Sequence, residues 1–189
     1  MAVKGSMIIF LSIVLFSLSG WSASAHRPVI VKDEASIQNP LLVKEPEISF
    51  AYYGRLEGEP HYFKIQSSET FNLYVNILVP DFEPEGEPVY HHDMSFEIIE
   101  AERIVYRAVG LEFQWKRFYE KYGRDHYYWG PEYDQKAEAG TYIIKVFNSG
   151  NSGKYSLAIG KIEKFTFPVF IGAMFKAQSL DRWFFKKDE

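Results

Sequence analysis

The chain contains no cysteine among its 189 residues. That excludes disulfides, thiol nucleophiles, iron–sulfur ligation and cysteine-type zinc sites. It also lacks an excess of basic charge: 21 Lys and Arg stand against 25 Asp and Glu, a formal net charge of −4. A mildly acidic chain is a poor partner for nucleic acid, which proteins grip through basic patches. No apolar run reaches the roughly 20 residues that a membrane-spanning helix needs. No complete catalytic or metal-binding signature occurs either, neither a Gly-x-Ser-x-Gly turn nor an Asp-x-Asp-x-Asp-Gly loop. The sequence has no internal repeat and no low-complexity tract.

What is present begins at the N-terminus. Lys4 is the sole charge in the first 25 residues, an apolar run extends from Met7 to Leu18, and Ala23-Ser24-Ala25 follows. A basic start, a short apolar stretch and small residues at −3 and −1 form the pattern of a secretory signal peptide cut after Ala25. The expected product starts at His26 and is exported, to a periplasm or outside the cell. Removing residues 1–25 takes away only Lys4, so the net charge moves from −4 to −5.

Residues 26–46 read as an extended lead-in, because Pro28, Pro40 and Pro46 oppose a long helix. From Ile48 the pattern is that of strands. Phe71, Leu73, Val75, Ile77 and Val79 alternate with Asn72, Tyr74 and Asn76, a period-2 signal. With the runs on either side of a Gly-rich turn at 57–60, it predicts an antiparallel meander. Residues 81–92 form an acidic, Pro-containing loop, and 95–100 and 101–109 two further strands. Residues 111–135, with a Gly130-Pro131 turn signal, read as irregular. Residues 140–147 and 154–160 flank Asn148-Ser149-Gly150-Asn151-Ser152-Gly153, in which every residue is a turn former, and so predict a hairpin. Tyr142, Ile144, Val146, Tyr155, Leu157 and Ile159 join residues 71–77 as the expected core. The fold class is mainly β: an antiparallel β-sandwich over 47–163, with a short helical extension in the amphipathic tail 164–189, beginning near Pro168.

Two strand openings carry a likeness. Gly140-Thr141-Tyr142 followed by Gly153-Lys154-Tyr155-Ser156-Leu157 resembles the last two strands of the pre-peptidase C-terminal-like domains. Gly54-x-Leu56 followed by Tyr62-Phe63-Lys64-Ile65 is similar to the opening of the same domain. The resemblance implies a small jelly-roll sandwich of secreted prokaryotic proteins, mostly an accessory or binding module. That family usually carries aspartates just before its Tyr/Phe strand; here Glu59-Pro60-His61 stands there, so a family-type calcium site is not implied.

Three stretches are candidate sites. The aromatic and basic run supplies Trp115, Arg117, Tyr119, Arg124, Tyr127, Tyr128 and Trp129, whose rings can stack on a sugar or cap an apolar groove while the cations donate hydrogen bonds. A protein or carbohydrate ligand fits that chemistry. His26, as a new N-terminus, offers an amine and an imidazole that with His61, His91, His92 or His126 suit copper. Residues 165–185, bounded by Phe165 and Phe185 and followed by Lys186 and Lys187, could pack on the domain or touch a membrane peripherally. The sequence thus predicts an exported, non-catalytic binding module without a cofactor. The alternatives are a copper-binding protein or copper-dependent enzyme built on His26, and an envelope protein tethered by its tail.

Overall fold

Alternating apolar residues need a second apolar surface to cover them, and in this chain two sheets supply it to each other. The computed structural model describes residues 26–32, 35–83, 86, 92–120, 124–164 and 183–185. The strands, in chain order, are β1 (Arg27–Ile30), β2 (Leu41–Val43), β3 (Phe50–Glu57), β4 (His61–Ser67), β5 (Phe71–Pro80), β6 (Ser95–Glu100), β7 (Arg103–Ala108), β8 (Lys116–Glu120), β9 (Asp125–Ala137), β10 (Gly140–Phe147) and β11 (Ser152–Ile159). One sheet has the order β1-β3-β11-β5-β9-β8, and the other β2-β4-β10-β6-β7. Phe71, Leu73, Val75, Ile77, Tyr142, Ile144, Val146, Tyr155, Leu157 and Ile159 all lie in the core between them, as their alternation predicts.

The path between strands differs from the expected one. β3, β4 and β5 alternate between the two sheets, so the short turns joining them cross the sandwich and make no meander. β10 and β11 likewise belong to opposite sheets, and the turn-rich loop 148–153 is an arch. A turn signal says that the chain reverses; it does not say whether the next strand pairs beside the last or across from it. Hairpins do form at β6/β7 and β8/β9. The first turns on Ala101 and Glu102, both with positive φ (45° and 64°), the backbone that a tight two-residue β-turn requires.

Two pairings are parallel, β1 with β3 and β2 with β4; the others are antiparallel. The reason is the path of residues 26–43. They cross from the first sheet to the second one strand outside β3 and β4, which make the same crossing, so both edges run in the same sense. Val31, Ala35 and Val43 are buried along the way. The tail offers only residues 183–185 to description; the expected helix from Pro168 lies outside the described residues.

The region expected to be irregular is β8 and the 13-residue β9. Gly130-Pro131 is no turn but a bulge within β9, where the register with β5 shifts between Asn76 and Leu78. A bulge tolerates the proline that a regular ladder would not. The fully buried Asn76 donates from Nδ2 to the carbonyls of Gly130 and Pro131, each at 3.2 Å. Gly130 is required there, since a Cβ would stand 2.4 Å from the Trp115 ring. Gly54, paired with Tyr155 across β3 and β11, makes room in the same way: a Cβ would meet that ring at 2.5 Å.

Candidate functional site on the outer sheet face

The six-stranded sheet is apolar on both sides. Its inner side belongs to the core. Its outer side carries Tyr53 of β3, Ala158 of β11, Tyr74 and Leu78 of β5, Tyr127 and Trp129 of β9 and Phe118 of β8, all at the alternate positions of their strands. Tyr74, Leu78, Tyr127 and Ala158 are 5%, 8%, 4% and 1% exposed, although among the described residues no second sheet covers them. Part of the cover is Phe184, 0% exposed, whose ring stands edge-on to Tyr53 at 4.9 Å. Phe185 lies 5.4 Å from Tyr127.

Beside this cover a cleft of about 330 Å³ remains. Its floor is aromatic (Tyr53, Tyr74, Tyr127, Trp129, Phe118), and its rim is polar (His26, Ser49, Glu120, Lys161, Glu163). The volume is at the small end of the range for small-molecule sites. The Phe118 and Trp129 rings meet edge-to-face at 5.2 Å, with Phe118 37% exposed and so open to a ligand. The Tyr53 and Tyr127 hydroxyls lie 3.2 Å apart. Burial pushes both well above the ordinary phenol pKa, with Asp125 and Glu120 adding to it, so both stay neutral and able to donate and accept. Lys161 sits over the Tyr74 ring at 4.3 Å and pairs with Asp134 at 2.5 Å. Its hydrogen bond, then that of Asn72, holds the Asp134 carboxyl below its usual range. His26 meets the Ser49 hydroxyl through Nδ1 at 2.5 Å, and burial lowers its pKa. The cleft can therefore offer ring faces below and neutral or mixed-charge hydrogen-bonding groups around.

The seven aromatic and basic candidates do not share one groove, because neighbours along a strand point to opposite sides. Tyr127 and Trp129 face the outer cleft. Trp115 and Tyr128 are core residues, 4% and 0% exposed. Trp115 donates from Nε1 to the Gly110 carbonyl at 2.9 Å. The Tyr128 hydroxyl donates to Glu83 and accepts from Arg117 Nε at 3.0 Å. Arg117 also pairs with Asp81 at 3.2 Å and Glu83 at 3.5 Å, which ties the segment after β5 to β8. Tyr119 is exposed on the edge strand with its ring 4.8 Å from His126. Arg124 holds a positive φ of 61° ahead of β9. His92 lies against Tyr128 and Trp115, with ring centroids 4.4 and 5.3 Å away; His91 lies outside the described residues. Among the described residues no three His, Asp or Glu groups come together as a metal site.

Sequence reasoning missed Tyr53, Tyr74 and Leu78, while Phe118 and Phe184 lie within the aromatic run and the tail that it marked as candidates without being singled out. A signal for two of them was present: a strand with apolar residues on both sides, as Tyr74 and Leu78 make β5, needs cover on both sides.

The sequence matches no family model and no curated protein. Among solved structures it is similar to the pre-peptidase C-terminal domain of a collagenase from Bacillus anthracis, with 11% identity and a TM-score of 0.38, over 64% of this chain and 91% of that one.

Proposed function

We propose that this chain is an exported, non-catalytic binding module that takes a saccharide on the outer face of its six-stranded sheet. The observation that carries the reading is the cleft itself: aromatic rings as floor, hydroxyl, carboxylate and ammonium groups as rim. A sugar ring has the matching anatomy, with C–H faces that stack on Trp and Phe and hydroxyls that exchange hydrogen bonds around its edge. At about 330 Å³ the cleft suits one or two sugar units and not a long chain. Export rests on the N-terminal pattern ending at Ala25, which lies outside the described residues; mass spectrometry of the protein from the culture or periplasm should find His26 first.

Binding is tested by tryptophan fluorescence and calorimetry against a panel of neutral and acidic oligosaccharides. A member of the panel should bind, and Trp129→Ala should weaken it about tenfold, equivalent to the loss of about 1.4 kcal/mol. Tyr119→Ala, away from the cleft on the inner side of β8, should leave binding unchanged. Absence of binding across the panel at millimolar sugar, or equal weakening by the two variants, overturns the reading.

A further inference from the structure

The rings that hold Phe184 are also the rings that floor the cleft. Tyr53, Tyr74, Leu78, Tyr127, Trp129 and Ala158 belong both to the cluster around Phe184 and to the cleft lining. Phe184 stands on Tyr53 at 4.9 Å and 6.4 Å from Tyr127, while the Phe185 ring lies beside it, 5.1 Å from Phe184 and 5.4 Å from Tyr127. A ligand wider than the cleft would meet these side chains at its edge, where they share Tyr53 and Tyr127 with the floor.

We propose that the C-terminal Trp183-Phe184-Phe185 is a displaceable occupant of the ligand face, a peptide that the domain binds in cis and releases when the cleft is fully occupied. This rests on the reading of the outer face as a ligand site, but its first consequence needs no sugar: the face is a receptor for an aromatic peptide. The eighteen residues between Lys164 and Trp183 tether that peptide to its own receptor. Short tethers give effective concentrations in the millimolar range, so the cis peptide outcompetes any free copy at lower concentration. Coupling between two ligands is reciprocal. Whatever affinity the tail takes from the sugar, the sugar takes from the tail.

The test uses the full chain, wild type and Phe184→Ala, and a synthetic fluorescent peptide of residues 179–189. Anisotropy should show the peptide binding the Phe184→Ala chain at least tenfold more tightly than wild type, since an occupied site lowers apparent affinity by the fraction left open. A peptide carrying Phe184→Ala should not bind. The panel sugar should displace the bound peptide and should itself bind Phe184→Ala more tightly than wild type. Circular dichroism checks that the variant is folded. Should Phe184→Ala fail to fold, Phe185→Ala, whose ring is only partly buried, takes its place with the same expectation. Failure of the peptide to bind the folded variant overturns the proposal. So does a sugar that binds both chains equally and leaves the peptide in place, a result under which the saccharide reading survives. Peptide binding with no sugar binding keeps the receptor and overturns the saccharide reading alone.

Discussion

Tyr127 and Tyr128 are adjacent in β9 and almost equally buried, at 4% and 0% exposure, yet they are buried by different things. Tyr128 points to the inner side, where a whole second sheet lies opposite and Trp115, Arg117 and His92 surround the ring. Tyr127 points outward, where its cover includes Phe184 and Phe185, more than 50 positions away in the chain. The inner face is therefore closed many times over by the fold itself. Among the described residues, closure of the outer face rests on a few side chains, with a cleft beside them. Equal burial does not mean equal permanence: the second kind is the kind that opens locally at low cost.

That contrast can be broken by measurement. The largest effect is expected inside. Ile144→Ala, at 0% exposure between the sheets, should lower the unfolding free energy by about 2–5 kcal/mol, seen as a lower denaturant midpoint. Phe184→Ala should cost less, about 1.5–3 kcal/mol, the worth of burying one such ring. If it costs as much as Ile144→Ala, the outer cluster is part of the same core and the distinction falls. The smallest change is expected for Tyr128→Phe, about 1 kcal/mol near neutral pH for the lost hydrogen bonds. This variant also sharpens the comparison through pH. Burial first, then the hydrogen bond to Glu83, pushes the Tyr128 hydroxyl up to about 12, with Arg117 opposing. A folded pKa above the unfolded value of about 10 stabilises the fold fully below pH 10, and the contribution is lost as pH rises through about 12. Stability of the wild type should fall more steeply than that of Tyr128→Phe between pH 10 and 12. Parallel curves would show a phenol that ionises as readily folded as unfolded. Part of the fall will persist in the variant, because burial also raises Tyr52, Tyr53, Tyr127 and Tyr155.

The inner face was legible in the sequence because a single period-2 pattern, Phe71-x-Leu73-x-Val75-x-Ile77, states which side of a strand is covered. The outer face was not. Tyr127-Tyr128-Trp129 is uninterrupted aromatic sequence, so alternation vanishes just where both sides are buried, and Pro131 in a bulge mimics a turn. Strand pairing was hidden for another reason. The loop 148–153 has the composition of a hairpin and the geometry of an arch, with Asn151 at φ 44° and Gly153 at φ 101°. Local chemistry fixes the reversal; the position of β4 and β6 on either side of β10 decides the rest. The cleft was out of reach for the same reason, since it joins Tyr53, Tyr74, Trp129 and Lys161 across more than 100 positions of chain.

The order of strands also sets the order of events. β10 lies between β4 and β6, and β11 between β3 and β5, so the last two strands among the described residues each join two parts of a sheet. Until β10 is complete at residue 147 the second sheet has only the separate pairs β2-β4 and β6-β7, and until β11 is complete at residue 159 the first has only β1-β3 and β5-β9-β8. Contacts this distant are closed slowly, in milliseconds to seconds. Full pairing of both sheets therefore comes late in synthesis, when the chain has been made almost to residue 159.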